Sequence, residues 1–432
     1  MEYNIFGRTA PAMPKPGKGT EFCKLILSQA SKDMREPLVP MSIPALAARL
    51  SEVRFMYSDN RYYELCGQMG HLIGPSGIGK AQLTHLIEAV CRSLRSHDET
   101  EYMKLVDWQR QMKTRGANKE KPERPDVCFL FPPADVTNAA FIQNAMACEK
   151  LGCHTQYLNL PEVEMADKLC GGHKQVSQMV RNIYDIQRAG ALRATADGIT
   201  GNPVLRVNLT LTSTPDAARL FYKKDLTNGF FGRIPFAYKA RGERKGRIPR
   251  QGTYSDDFLK QLDAYLVRLD NCKGNFVVSP LNKIADQLAE EMARLADLSD
   301  DDMVWELSHR SIFAAWKKGA VLWILNDQVW TRSIGEYVSW FCYYDLWSKV
   351  KVFGDMFKSG EPEENLKTGP QNMLDSLNDS FTLAQLEAVR LSLSKSKEGA
   401  RHQINVWKTR GFITYSEETG LYSKTNEYLR RK

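Results

Sequence analysis

No run of apolar residues in this chain approaches the roughly 18 that span a bilayer, and the opening stretch MEYNIFGRTAPAMPKPGKGTEF lacks the apolar segment of a secretory leader. A membrane partner is therefore not expected, and the expected location is the cytoplasm. A disulfide framework is missing too. Nine cysteines, an odd number scattered through 432 residues, fit reduced thiols better than paired ones. Charge is not extreme: a net +8 permits a polyanionic partner without requiring one. What remains is an ordinary globular composition, 43% hydrophobic, on a chain long enough for two or three domains.

Cys148, Cys153, His154, Cys170 and His173 form the one cluster with zinc-like chemistry, and the closing Cys-x-x-His spacing suits a metal. The first pair straddles an expected helix end and precedes an apolar strand. Buried free thiols acting as small apolar residues are the expected reading.

Residues 1–40 read as an N-terminal arm, the first twenty rich in Pro, Gly and Lys and expected to be flexible. Residues 41–255 read as an α/β core. MSIPALAARLSEVRFMYSDN suggests a short helix giving way to an extended segment, and YYELCGQMGHLI a strand ending at Gly74. Leu83, Leu86, Ile87, Val90 and Leu94 then recur at helical spacing. Residues 96–124, dense in both charge signs, look like a solvated helical insertion. VCFLF, VTNAAFIQNAMACEKL, HTQYLNL, VSQMVRNIYDIQR and VLRVNLTLTST then alternate as strand and helix, which implies a parallel sheet covered on both faces. Residues 256–357 are nearly all helical in pattern, a separate all-α lid subdomain. Residues 358–378 have linker composition, and 379–432 form a third unit.

The stretch HLIGPSGIGKAQL carries the sharpest motif. Gly74, Pro75, Ser76, Gly77, Ile78, Gly79 and Lys80 satisfy G-x-x-x-x-G-K between an expected strand and an expected helix. Glycines let backbone N–H groups wrap a phosphate, the following helix aims its positive end at the anion, and the lysine balances the β/γ charge. The fold class expected is a P-loop NTPase core with ATP and magnesium as cofactors. Ala81 departs from the pattern, because the residue after the lysine normally supplies a hydroxyl to the metal. Glu162 and Glu164, with Asp167, follow an apolar strand and are candidates to hold magnesium and activate water. Their other reading is capping of the helix after Pro161. Ser213, Thr214 and Pro215 end a strand where hydroxyls can sense a γ-phosphate. Arg233, in the turn NGFFGR, can reach a phosphate across a subunit boundary. Arg310 is a weaker candidate of the same kind, with a structural role favoured.

Four segments, ARLSEVRFMYSDNRYYELCGQMGHLIGPSGIGKA, PDVCFLFPPADVTNAAFIQNAM, LPEVEMADKL and LTSTPDAARLFYKKDLTNGFFGRIPFAYK, occur in an order that resembles a divergent helicase-type, AAA+-like P-loop family of Bacteroidetes mobile elements, plasmids and phages. Its members often lie beside primase or replication modules. The resemblance covers roughly residues 40 to 350. It implies Lys80 as the P-loop lysine, Glu162 and Glu164 as the acidic strand-end motif, Thr214 as the threonine of a Gly-Thr-Pro-like strand end, and Arg233 as the arginine of an Asn-Gly-Leu-Phe-Ser-Arg-like turn. A small residue after the lysine is common in that family. Ser213 stands where a glycine is usual and Gly232 where a serine is usual.

SFTLAQLEAVRLSLSKSKEGARHQINVWKTRGFITYSEETGLYSKT reads as a winged helix-turn-helix. Leu383, Leu386 and Val389 stripe one helix, Ala400, Ile404 and Trp407 the next, and a hairpin turns at Gly420. Residues 381–432 hold ten Lys or Arg against five Asp or Glu, so most of the chain's excess positive charge lies here. Arg401, Gln403, Asn405, Lys408 and Arg410 on the second helix, with Lys424 on the wing, are the candidate DNA contacts. The expected function is that of a DNA-remodelling, helicase-like ATPase motor working as a ring or filament in replication or mobilisation. The alternative is a non-hydrolysing, ATP-dependent DNA-binding adaptor that recruits a replication or transposition complex.

Overall fold

The structure, a computed structural model, describes residues 3–58, 62–65, 67–114, 120–166, 173–190, 200–223, 226, 229–241, 253–300, 302–357, 372–393 and 395–430. Two short strands come first, β1 (Val53–Met56) and β2 (Tyr63–Leu65), paired antiparallel. The main sheet follows: β3 (Met69–Ile73), β4 (Gln156–Leu160), β5 (Val207–Ser213) and β6 (Phe236–Tyr238), all parallel in the order β4-β5-β3-β6. The protein is thus α/β, with many helices around a parallel sheet. YYELCGQMGHLI, expected as one strand, is two: β2 and β3 belong to different sheets.

β3 and β5 are buried along their whole length, as expected of parallel strands covered on both faces. Helix Arg35–Ala47 lies across both. Met41 sits so close to Gly70 that a Cβ there would stand 2.8 Å from the Met41 sulfur and would force that buried side chain to shift. The final turn of that helix leaves the Pro44 carbonyl without an intrahelical partner. Asn208 of β5 fills the gap, its Nδ2 donating to Pro44 O at 3.0 Å while its Oδ1 accepts Gln68 N at 2.9 Å.

VCFLF does not form a strand. Its segment runs beside the outer edge of β4, and Tyr157 N donates to Leu130 O at 2.8 Å. Side chains take the N–H groups that a ladder would use: Asp98 accepts both Leu130 N and Phe131 N at 2.7 Å, Glu101 accepts Cys128 N at 3.2 Å, and Asn144 accepts Phe129 N at 2.8 Å. Asp98 and Glu101 lie on helix Arg92–Thr114, so the segment expected as a solvated insertion buries two acids. A carboxylate accepting charge-assisted bonds from backbone competes well with a strand partner.

From Tyr3 onward the segment expected to be flexible packs against the rest of the protein. Ile5 is buried, and the indoles of Trp340 and Trp347 donate to Pro11 O and Gly7 O, both at 2.9 Å. Tyr3 and Ile5 of this Pro/Gly-rich segment, with Phe22 just after it, join the main buried core.

Helices Asp256–Asn271, Ser279–Ser299, Asp302–Leu325 and Arg332–Phe357 form the expected helical region. It shares one buried core with the sheet, and β7 (Gly274–Phe276) pairs parallel with β1. Helix Arg332–Phe357 also serves the sheet edge. Asp345 Oδ1 accepts Phe236 N at 2.6 Å and Ser348 Oγ accepts Tyr238 N at 2.9 Å, which occupies the exposed N–H groups of β6. Asp345 in turn pairs with buried Lys349 at 2.8 Å, and Lys349 also donates to Ser311 Oγ at 2.9 Å. With every partner bonded, the buried pair avoids the cost of an uncompensated charge.

The last unit has its own core around Leu374, Phe381, Leu386, Ile404 and Trp407. Strands β8 (Ser380–Phe381), β9 (Ile413–Ser416) and β10 (Leu421–Lys424) pair antiparallel in the order β8-β10-β9 beside helices Leu383–Ser392 and Gly399–Thr409. Thr382 and Gln385 close a reciprocal capping box on the first helix. No helix among the described residues is long and apolar enough to cross a membrane.

Candidate functional site

The loop Gly74–Lys80 joins the end of β3 to helix Ala81–Val90. Gly77 and Gly79 have φ of +77° and +95°, which an L side chain rarely adopts, and they turn the chain from β3 into the helix. Gly74 is closely packed: a Cβ would meet Ile78 Cγ2 at 3.2 Å and Lys239 O at 3.3 Å, so its neighbours would have to give by a few tenths of an ångström. Lys80 Nζ donates to Gly74 O at 2.6 Å and to Pro75 O at 3.4 Å. Partial burial pulls its pKa below the usual lysine value, and no carboxylate pairs with it among the described residues. An ammonium satisfied only by its own loop's carbonyls suits exchange onto an anion. Ala81 is exposed at the first helical position and contributes only a methyl group.

His71, unflagged in the sequence, sits within β3 and is fully buried. Its Nε2 meets Ser213 Oγ at 2.8 Å and its Nδ1 meets Tyr222 OH at 2.9 Å. Burial, reinforced by nearby Lys80, lowers its pKa to about 3, so the ring is neutral. Ser213 is thereby committed to β3, which corrects its candidacy as a phosphate-sensing hydroxyl. A histidine in an otherwise apolar strand was the available signal. Thr214 caps helix Pro215–Tyr222, accepting Ala217 N at 3.3 Å, which leaves its own hydroxyl hydrogen to donate.

The strand register places these groups on one edge. Ile73 pairs with Ser213, and Leu160, the last residue of β4, with Leu211, so the turn carrying Glu162 follows a strand two spacings, about 10 Å, from β3. Glu162 and Glu164 are both exposed in the turn after β4, with no cationic partner among the described residues. Asp167 falls outside the described residues. Gly74–Lys80 thus presents two positive-φ glycines and one ammonium at this edge of the sheet. Ala81 offers no metal ligand, so any divalent cation at this edge would have to draw on Glu162 and Glu164.

Arg233 lies on the opposite edge. His71 pairs with Phe236, so Arg233 precedes the level of His71 while Gly74 follows it; that step alone is about 10 Å of strand. Arg233 Nη2 donates to Asp185 Oδ2 at 3.0 Å, Nη1 to Gly229 O at 2.8 Å, and the guanidinium lies 5.7 Å from the Tyr184 ring centre. Its side chain is 16% exposed, so it is a held residue, not a loose one. Arg310 approaches the same ring at 5.3 Å. Neither arginine serves the loop of its own chain.

Helix Gly399–Thr409 divides the expected DNA contacts. Arg401, Asn405 and Lys408 are exposed at helical spacing on one face. Gln403 is 1% exposed and its Oε1 accepts from Arg390, a buried bond that removes it from any surface. Arg410 pairs with Asp297 at 2.7 Å, and Lys424, its side chain 4% exposed, donates to Leu377 O at 2.7 Å. Gln403 and Lys424 are therefore corrections, each held by a partner within its own unit. Arg410 stays 55% exposed; its pair with Asp297 and the Trp407 Nε1 bond to Asp297 O at 3.2 Å dock the unit on helix Ser279–Ser299.

The thiols of the expected cysteine cluster do not converge. Cys148 packs with Cys128 and Leu130 in a small buried cluster, Cys153 donates to Glu149 O at 3.5 Å, and no metal-holding group of three exists among the described residues. Cys170 and the His173 side chain lie outside them. No protein-family model matches this chain, and no curated protein does.

Proposed function

We propose that this chain is a P-loop ATPase that binds ATP at Gly74–Lys80 and DNA through a C-terminal winged helix. One observation carries the reading: the strand order β4-β5-β3-β6 sets Lys80, Thr214 and the Glu162/Glu164 turn along one sheet edge while Arg233 stands on the other. Lys80 binds and orients the phosphates, Thr214 donates a hydroxyl toward them, and Glu162 or Glu164 takes a proton from attacking water. Magnesium, when bound, supplies charge neutralisation and a template for the phosphates. Because Arg233 is remote from its own loop, it acts on a neighbouring copy, which makes the working form a ring or filament. The exposed face Arg401, Asn405 and Lys408 meets the DNA backbone and base edges. Together with the resemblance of residues 40 to 350 to helicase-type proteins of mobile elements, this supports a DNA-remodelling motor in replication or mobilisation, working beside a primase or similar protein.

The adaptor reading draws on Ala81, whose methyl leaves the metal short of a usual ligand. ATPase turnover with and without duplex DNA, for the wild type and Lys80→Ala, separates the two. DNA-stimulated turnover lost in the variant supports the motor. ATP binding with no turnover supports the adaptor, and absence of ATP binding overturns both.

A further inference from the structure

A cavity of about 780 Å³ opens where β1, the segment after helix His173–Tyr184, and helix Asp302–Leu325 meet. Arg206 lines it one residue before β5, which puts the cavity at the amino edge of the sheet, away from the Gly74–Lys80 loop. Four full cations line it, Arg54, Arg206, Arg310 and Lys317, against two carboxylates. One of those, Asp185, is already bonded to Arg233. Arg54 and Arg310 have no carboxylate partner among the described residues, and Arg206 spends one donor on Cys153 O at 3.1 Å while its buried Nε has no partner. Buried donors without acceptors cost free energy unless a ligand or water meets them.

The walls between these cations are aromatic. Tyr57 packs on Phe313 and Trp316 at 4.8 and 5.1 Å, and Tyr184 carries Lys317 at 4.7 Å and Arg310 at 5.3 Å over its ring. Positive groups suit a phosphate and ring faces suit a planar base. The volume lies inside the roughly 300–1,000 Å³ of small-molecule sites.

We propose that this cavity is a second nucleotide site, with the phosphate on Arg54, Arg206 and Arg310 and the base beside Tyr57. It is independent of the loop site, and the two are separable by experiment. Equilibrium dialysis of the full chain against labelled AMP and ATP counts the sites. Two sites are expected for wild type with ATP. Lys80→Ala retains the cavity site, and Arg54→Gln or Arg310→Glu weakens that site about tenfold or more while leaving the loop site unchanged. A single site insensitive to Lys80→Ala and lost in both arginine variants upholds the cavity and sinks the loop reading. A single site lost in Lys80→Ala alone overturns the cavity proposal, as does capture of an oligothymidine at the cavity with no binding of AMP or ATP. Arg54→Gln removes charge from a half-exposed strand residue, so retained thermal stability in that variant keeps loss of binding distinct from loss of fold.

Discussion

His71 Nε2 and Ser213 Oγ meet at 2.8 Å, a hydrogen bond across the two central strands just below the Gly74–Lys80 loop. The same strand ends are joined on the backbone, where Gly74 N donates to Ser213 O at 3.1 Å. Side chain and main chain together fix the relative height of the loop and of Thr214, the next residue. The seat of the loop is thus set by a neutral imidazole.

That neutrality has a pH signature. The folded pKa of His71 is depressed to about 3 by burial, below the ordinary value of about 6.5. A depressed pKa gives stability that is present above the unfolded pKa and is lost as pH falls toward the folded one. Between roughly pH 6.5 and 3 the unfolded chain takes up a proton that the folded chain refuses, at most about 1.4 kcal/mol per pH unit. Thermal melts of wild type and His71→Gln over this range give the check: the variant has a shallower acid decline, and parallel declines refute the assignment.

Asp98 is expected to matter more than any other charge on its helix. It is 1% exposed and accepts two backbone N–H groups. Asp98→Ala leaves both donors buried without an acceptor and lowers stability by about 2–4 kcal/mol. Urea unfolding reads the loss, and an unchanged midpoint counts against it.

This acid also marks where the sequence stopped being legible. Apolar runs and turn glycines were enough for β4, β5 and the helices around them, because each signal is local, while the run holding β2 and β3 reads as one strand. VCFLF has the same local pattern as β4, yet Asp98, Glu101 and Asn144 take its N–H groups, a choice made by residues up to 33 positions away. The loop, the acidic turn and Thr214 came from spacing. The commitments of Ser213, Gln403, Arg410 and Lys424 did not, since His71, Arg390, Asp297 and Leu377 meet them only through tertiary packing.

Arg233 tests the assembly. Arg233→Ala should leave ATP binding within about twofold and cut turnover by roughly 10³, the scale of an arginine that completes a neighbour's site. Mixed with a Lys80→Ala protein, whose arginine is intact, the variant should regain part of its turnover. No recovery on mixing would show that Arg233 works within its own chain or not at all.

Ala81 offers a gain-of-function test. It is exposed at the first position of its helix, where a hydroxyl is tolerated. Ala81→Ser is expected to lower the magnesium concentration for half-maximal turnover and to lessen the effect of Glu162→Gln, because a second ligand shares the ion. If the titration is unmoved, the metal is held without reference to this position.

The C-terminal helix predicts two kinds of variant from one stretch of eleven residues. Arg401→Glu and Lys408→Glu act on an exposed face, so thermal stability stays within about 0.5 kcal/mol while duplex-DNA affinity falls, and each lost phosphate contact reduces the salt slope by roughly one. Gln403→Ala acts on a buried acceptor of Arg390, so it costs about 1–3 kcal/mol and changes DNA binding only as far as the unit unfolds. Arg410→Ala breaks the pair with Asp297 and should loosen the unit from helix Ser279–Ser299, read as faster hydrogen exchange at that helix's end. Salt titrations beside melting curves separate the two classes. Equal loss of DNA affinity in Lys408→Glu and Gln403→Ala at full fold retention would place the DNA face elsewhere on the unit.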